Sequence, residues 1–184
     1  MLTVVVLAAG RSQRFGSDKL LHPLPHGDTL LARAVRACGA FARVVVCSPQ
    51  LEAHVRSLDT TAIVNGSPER GMAYSLRLAN AQIDPQHDLA VLPADLPLIA
   101  AEHVVRMVES LRGADVAHPV RSDGTPGHPV IFSSRMRRWI EELADNEPAA
   151  RLRERAGIAR RSIAIEEPWP YRDVDVREDL EGLR

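Results

Sequence analysis

The chain has 184 residues, of which 45% are hydrophobic, and its 23 lysines and arginines nearly balance its 24 aspartates and glutamates. That length and apolar content fit one domain, residues 1–184, with a substantial core. The net charge of -1 argues against a protein that binds nucleic acid through a broad basic field. The apolar run Leu2–Ala9 is too short to cross a bilayer and lacks the features of a signal peptide, so we expect no membrane association. Two cysteines, Cys38 and Cys47, favour a reducing, cytoplasmic setting.

The first 112 residues alternate between strand-like and helix-like patterns. Continuous apolar runs predict buried strands at Leu2–Leu7, Val44–Cys47, Ala62–Val64 and Leu89–Leu92. Apolar residues at helical spacing predict helices from Leu30, which Asp28 or Thr29 would cap, over Leu51–Leu58 and Met72–Ala81, and around Val104–Leu111. This alternation predicts an α/β fold whose mostly parallel sheet is covered by helices on both sides.

The pattern changes after residue 112. We expect strands at Val116–Val120, Pro129–Phe132 and Arg161–Ile165, helices from Ser133 and near Pro148–Ala156, and a terminal amphipathic helix at Val176–Leu183. We interpret the change as a boundary between a nucleotide-binding half, residues 1–112, and an acceptor-side half, residues 113–184, of one domain.

A loop rich in glycine and basic residues follows the first predicted strand. Gly10 allows a close approach of backbone N–H groups to an anion, and Arg11, Arg14 and Lys19 add three cations within nine residues. Such a loop can surround a triphosphate and neutralise the charge that moves during phosphoryl transfer. Its spacing fits neither a Walker A loop nor a Rossmann glycine fingerprint. The alternative is a solvated loop whose cations bind nothing.

A single carboxylate, Asp95, follows the predicted strand Leu89–Leu92 and stands between Pro93 and Pro97. Mg²⁺ prefers one or two carboxylates together with phosphate oxygens and water, so Asp95 is a candidate metal ligand. Asp95 could equally cap the following helix. The ends of parallel strands meet at one edge of a sheet, where ligands bind, and this favours the metal.

These stretches together resemble the molybdopterin nucleotidyltransferase family. Leu7–Lys19 is similar to its L-A-[AG]-G-x-S-x-R-[FM]-G-x-x-K signature, and Pro93–Leu98 to its D-x-P-L element. Weaker similarities follow the rest of the chain at Asn65, Gly71–Leu76, Gly127–Val130 and Asp173–Leu180. Ala9 stands where the guanylyltransferases usually carry a second glycine, so the chain most resembles the cytidylyltransferase branch.

The resemblance implies a Rossmann-like three-layer αβα fold of the nucleotide-diphospho-sugar transferase type. It implies CTP as the donor, molybdopterin in its molybdenum cofactor as the acceptor, Mg²⁺ as the cofactor, and a molybdoenzyme as a possible client. The nucleotide would be bound by residues Leu7, Ala8, Ala9, Gly10, Arg11, Lys19, Asn65 and Ser75. Catalysis would rest on Lys19, Arg14 and Asp95, with Asp95 on the metal.

Three further candidates each have an equally plausible structural interpretation. His128 could contact the acceptor or simply fill a turn. Asp175 could be a second metal ligand or cap the last helix. Asn65 could bond the base, although an Asn-Gly pair commonly forms a turn.

The expected reaction is attack by an acceptor phosphate on the α-phosphorus of the nucleotide. An anionic phosphate needs no serine, cysteine or histidine nucleophile, and the sequence contains no convincing triad. Two other functions fit: a sugar- or alcohol-phosphate nucleotidylyltransferase, and a non-catalytic carrier that binds nucleotide or cofactor.

Overall fold

Seven strands form one sheet. The computed structural model describes residues 1–10, 15, 18–24 and 27–180. The strands are β1 (Leu2–Ala8), β2 (Ala42–Cys47), β3 (Thr61–Val64), β4 (Asp88–Pro93), β5 (Val116–Val120), β6 (Val130–Phe132) and β7 (Arg160–Ala164). Their order in the sheet is β3-β2-β1-β4-β6-β5-β7. β6 runs antiparallel to both of its neighbours, and the other pairs are parallel, so the predicted mostly parallel sheet is confirmed.

Helices cover both faces of this sheet. They are α1 (Leu30–Ala37), α2 (Glu52–Ser57), α3 (Gly71–Asn80), α4 (Ala101–Ser110), α5 (Arg137–Glu141) and α6 (Arg151–Glu154). One core contains apolar residues of α1, α2 and α4, and a second core contains those of α3, α5 and α6. The predicted three-layer αβα fold is therefore confirmed.

The central strand β1 explains why the first apolar run is uninterrupted. Val4, Val6 and Ala8 belong to one core, whereas Val5 belongs to the other, and all four are almost fully buried. A strand that packs against helices on both faces has no solvent-facing side, and so it carries no polar alternation. The predicted cap of α1 is Thr29, whose hydroxyl oxygen accepts a hydrogen bond from Ala32 N over 3.1 Å.

The predicted terminal helix is wrong over the described residues. Residues Arg177–Leu180 form a single 3₁₀ turn, and the segment 181–184 lies outside the described part of the chain. The Asp179 carboxylate accepts hydrogen bonds from the backbone of Asp175 and Val176, which closes a tight turn there. Among the described residues, no helix combines the length and the apolar character that a membrane span needs.

Candidate active site

A cleft opens where the order of the strands reverses. β1 lies between β2 and β4 and is parallel to both. The carboxyl ends of β1 and β4 therefore lie side by side at one edge of the sheet. The N–H of Ala94 donates to the carbonyl of Leu7 over 3.0 Å, which joins the two strand ends. In open α/β sheets, ligands bind at such a reversal. The cleft has a volume of about 430 Å³ and is lined by residues Leu7, Ala8, Ala9, Gly10, Lys19, Leu20, Pro68, Gly71, Met72, Ser75, Pro93, Asp95 and Asp175.

A short turn places Lys19 at the cleft. Lys19–Leu21 form one turn of 3₁₀ helix, and the Asp18 carboxylate caps it by accepting a hydrogen bond from Leu20 N over 3.1 Å. The Leu20 side chain is buried in the core that contains α1, α2 and α4. Because consecutive residues of the turn point in different directions, burial of Leu20 leaves Lys19 directed at the strand ends.

The Lys19 ammonium joins two distant parts of the chain. Its Nζ donates to Asp95 Oδ2 over 2.9 Å, to the Val174 carbonyl over 2.6 Å and to Asp175 Oδ1 over 3.3 Å. The N–H of Val174 in turn donates to the Asp95 carbonyl over 3.0 Å, so the C-terminal segment is fastened to the end of β4. The structure thus brings Asp95 and Asp175 to one position. Helix α4 has Ala100 as its N-cap, so Asp95 does not cap it.

The charges at this position stabilise one another. Burial by itself lowers the pKa of Lys19, but the Asp95 and Asp175 carboxylates outweigh it and hold the pKa above its usual value. The pKa of Asp173 is raised, chiefly by burial and further by the negative charges of Asp95 and Asp175. The cleft therefore stabilises a positive charge next to its carboxylates.

The donor atoms around Lys19 Nζ are of the kind that a hard divalent cation prefers. They comprise carboxylate oxygens of Asp95 and Asp175 and the carbonyl oxygen of Val174. Mg²⁺ usually takes one or two carboxylates and completes its shell with phosphate oxygens and water. Among the described residues, no three His, Cys, Asp or Glu side chains form a group that could hold a metal ion. The residues present fit a cation that arrives with a polyphosphate.

Most of the nucleotide-binding residues expected from the sequence line this one cleft. They are Leu7, Ala8, Ala9, Gly10, Lys19 and Ser75. Asn65 does not line it: this residue is fully buried, and its Nδ2 donates to Ser75 Oγ over 2.9 Å. Its Oδ1 accepts from Ser67 N over 2.8 Å, which forms the turn that an Asn-Gly pair suggests. Arg11 and Arg14 lie outside the described residues.

The predicted acceptor residue His128 lines a second cavity of about 320 Å³. Gly71 and Met72 belong to the walls of both cavities, so the two adjoin at the start of α3. The second cavity has apolar walls formed by Leu76, Val91, Val130, Phe132 and Ala149. Burial lowers the pKa of His128 to about 4, and its Nδ1 has no hydrogen-bond partner within the described residues. This imidazole is neutral near pH 7.

Side chains on and just before α3 hold the loop that carries Asn146 to the wall of the second cavity. The Arg70 guanidinium lies 3.7 Å from the centre of the Tyr74 ring, and both Arg70 and Arg77 form ion pairs with Asp145. Asn146 N also donates to the Arg70 carbonyl over 2.9 Å. A Cβ on Gly71 would lie 3.0 Å from Asn146 Cα, so only glycine allows this close contact. The loop that begins at Asp145 is therefore fastened to the residues that separate the cavities.

Sequence reasoning missed two residues of these cavities. The Val174 carbonyl contributes to the cation position, but a backbone oxygen gives no signal in a sequence pattern. Arg153 lines the second cavity, and burial lowers its pKa; its helical context alone gave no indication of this.

Comparison with known proteins identifies the family. Residues 4–161 match the MobA-like NTP transferase domain, and the chain belongs to this family. The bifunctional protein GlmU of Gluconacetobacter diazotrophicus is 32% identical over 164 residues, which are 82% of this chain and 35% of that protein. The GlmU of Rhizorhabdus wittichii is 34% identical over 60% of this chain and 26% of its own length. The chain spans about a quarter to a third of the length of these relatives.

Solved structures show the same fold. Rv0371c from Mycobacterium tuberculosis has a TM-score of 0.82 and 26% identity, with 99% of this chain and 96% of that chain covered. The structure of the same protein in complex with manganese has a TM-score of 0.79 and 25% identity, over 99% and 97% of the two chains. Molybdopterin-guanine dinucleotide biosynthesis protein A from Archaeoglobus fulgidus has a TM-score of 0.70 at 18% identity, over 98% and 95%, which is a likeness of fold alone.

Proposed function

We propose that this chain is a nucleotidyltransferase that moves CMP from CTP onto the phosphate of molybdopterin in its molybdenum cofactor and releases pyrophosphate. The observation that carries the proposal is the position of Lys19, Asp95 and Asp175 around a single point in the cleft. A lysine that can bind phosphates and two carboxylates that can bind a cation are the groups that nucleotidyl transfer requires. The family membership of the chain supports the same chemistry.

The reaction needs positioning and charge neutralisation rather than a protein nucleophile. An oxygen of the acceptor phosphate forms a bond with the α-phosphorus, and the bond from the α-phosphorus to the bridging oxygen of the β-phosphate breaks. The electron pair leaves with pyrophosphate. Because the attacking phosphate is already anionic near neutral pH, no general base is required.

Each group of the cleft has a place in this reaction. The backbone of Leu7–Gly10 would hold the base and sugar, and a Cβ on Gly10 would meet no described atom within 4 Å, which leaves room for a ligand there. Lys19 would neutralise the departing pyrophosphate, with Arg11 and Arg14 on the same phosphates. Asp95 and Asp175 would hold Mg²⁺ or Mn²⁺, which when bound stabilises negative charge on the phosphate oxygens.

We assign the acceptor to the second cavity. His128 and Arg153 are polar groups among apolar walls, which is the usual character of a small-molecule site. The shared boundary at Gly71 and Met72 would let an acceptor phosphate reach the nucleotide cleft. In this assignment residues 1–112 form the nucleotide cleft together with Asp175, and residues of both halves, His128 and Arg153 among them, line the acceptor cavity.

The choice of CTP rests on Ala9. Its side chain is buried at the wall of the cleft, where a glycine would leave more room for a base. The proposed setting is the cytoplasm, and the buried, unpaired cysteines Cys38 and Cys47 agree with a reducing compartment. A molybdoenzyme that receives the finished cofactor is the proposed client.

The test is release of pyrophosphate from each of the four nucleoside triphosphates, with and without molybdenum cofactor, in Mg²⁺. Release from CTP only when cofactor is present supports the proposal. Release from CTP only with sugar or alcohol phosphates contradicts the proposed acceptor, and the similarity to the GlmU proteins makes that panel the next to measure. Nucleotide binding without any release contradicts an enzyme and supports a carrier.

A further inference from the structure

Lys19 donates hydrogen bonds to the same oxygens that a divalent cation would bind. Its Nζ lies 2.6 Å from the Val174 carbonyl, 2.9 Å from Asp95 Oδ2 and 3.3 Å from Asp175 Oδ1. The nitrogen therefore lies within hydrogen-bonding distance of three hard oxygen atoms. The same oxygens form the proposed metal site, so one position serves two candidate cations.

The two cations exclude each other at this position. The ammonium is well placed, because its side chain is only 11% exposed and the turn that carries it is anchored by Leu20 and capped by Asp18. A divalent ion on Asp95 and Asp175 would lie within a few ångströms of the lysine charge. At that distance the two positive charges repel each other strongly, because solvent and salt screen partly buried charges poorly. The metal can bind fully only after Lys19 moves away.

The composition of the chain also indicates that the cation at this position is able to move. Lys19 is the only lysine among the 23 lysines and arginines, and all of the others are arginine. An ammonium is a compact charge on a flexible stem, whereas a guanidinium is a planar fork that suits fixed, paired hydrogen bonds. A cation that fills a metal-sized position and then moves to another partner must be compact and mobile. Only lysine meets both requirements.

We infer that Lys19 acts as a built-in counter-ion that fills the divalent-cation position until a nucleoside triphosphate draws its ammonium onto the phosphates. The inference rests on the nucleotide and metal sites proposed above. Its consequence is that the metal binds weakly to the free protein and tightly once nucleotide is present. Because binding free energies are reciprocally linked, the metal strengthens nucleotide binding by the same factor.

Binding of Mn²⁺ alone, followed by the electron paramagnetic resonance signal of free Mn²⁺, tests the inference without any turnover. Lys19→Met removes the competing charge and keeps the bulk of the side chain, so we expect Mn²⁺ affinity to rise at least about tenfold above that of the wild type. The control is Arg56→Met, which makes the same charge change at a 62% exposed arginine paired with Glu52 on α2. Its affinity should match the wild type. Unchanged or weaker binding in Lys19→Met overturns the inference.

A double variant separates this inference from the proposed metal site. If Lys19→Met tightens Mn²⁺ binding and Lys19→Met with Asp95→Asn abolishes the gain, both are supported. If Mn²⁺ affinity depends on Asp95 but does not respond to Lys19→Met, the metal site stands and the role of Lys19 is overturned. If Asp95→Asn leaves Mn²⁺ affinity unchanged in every background, the proposed metal site is wrong, and the inference about Lys19 is overturned as well.

The wild-type protein offers an independent readout because it has one lysine. Labelling of lysine with ¹⁵N at Nζ gives a single ammonium NMR signal, which belongs to Lys19. Addition of CTP without metal should shift that signal as the ammonium exchanges carboxylates for phosphates. A signal that stays unchanged at saturating CTP overturns the inference even if the Lys19→Met variant fails to fold.

Discussion

Lys19 Nζ lies 2.9 Å from Asp95 Oδ2, although 76 residues separate them in the chain. One residue belongs to the turn that follows the first strand, and the other follows β4. Their contact exists because β1 and β4 are parallel neighbours, which brings both carboxyl ends to one edge. Two motifs that are independent in the sequence therefore form one site.

Removal of either partner should slow turnover with little effect on folding. Lys19→Met and Asp95→Asn each remove a group that stabilises charge in the transition state, so we expect kcat to fall about 10²–10³-fold. Steady-state pyrophosphate release measures this loss, and thermal melting checks that the variants fold. Glu52→Gln, at an exposed pair on α2, should keep the wild-type rate. Near-wild-type kcat in both site variants would remove these residues from the mechanism.

Ala9→Gly should shift the preference between nucleotides. The substitution removes one methyl group from the wall of the cleft and makes room for a larger base. A methyl group in a binding pocket changes discrimination by about tenfold or more, so the ratio of kcat/KM for GTP to that for CTP should rise by about tenfold. Competition between the two nucleotides measures the ratio directly. An unchanged ratio would mean that Ala9 does not select the base.

The sequence predicts those parts of the fold that depend on local patterns. The apolar runs of β1, β2 and β4 mark buried strands, because each is covered on both faces. The insertion of antiparallel β6 between β4 and β5 could not be predicted, since pairing of distant strands leaves no local periodicity. The prediction of a last helix was wrong because the Asp179 carboxylate accepts a hydrogen bond from the backbone N–H of Asp175 and closes a tight turn.

The candidate site, like the fold, could be predicted from the sequence only in part. Glycine and charge after β1 and a carboxylate after β4 indicate its chemistry from residue type alone. The sequence could not show that Asn65 is buried against Ser75, or that His128 lies in a neighbouring cavity rather than in the nucleotide cleft. Those relationships depend on how α3 packs between the two cavities.

His128 should make the protein less stable in acid. Its pKa is lowered from 6.5 to about 4 in the folded chain, so between those values the unfolded chain binds the additional proton. The free energy of unfolding therefore falls as the pH drops below about 6.5, and at pH 5 this residue costs about 2 kcal/mol. Urea unfolding of the wild type and His128→Asn at pH 7 and pH 5 measures it. The variant should lose about 2 kcal/mol less than the wild type; equal losses contradict a buried, neutral imidazole.

Arg137 should be essential for stability although it does not line the cleft. It is buried, and its guanidinium donates to the carbonyls of Asn80, Ile83, Asp84 and His87 and to the side chain of Asn80. Arg137→Met leaves these acceptors without a donor, and the free energy of unfolding should fall by about 3–5 kcal/mol.

The neighbouring Arg138 supplies the matched control for Arg137. Its side chain is exposed and contacts only the face of Trp139 among the interactions of the described residues, so Arg138→Met should cost about 0.5 kcal/mol. Denaturant titration measures both variants. Equal losses would contradict a specific role for the buried guanidinium in holding the end of α3.

The most direct test follows the α-phosphate of CTP. In parallel reactions with molybdenum cofactor and Mg²⁺, the nucleotide carries ³²P at either the α or the γ position. We expect α-label to appear in the cofactor product and γ-label to leave entirely as pyrophosphate, and the rate of both to fall about 10²–10³-fold in Asp95→Asn. Transfer of γ-label to the acceptor, or its release as inorganic phosphate, would contradict nucleotidyl transfer.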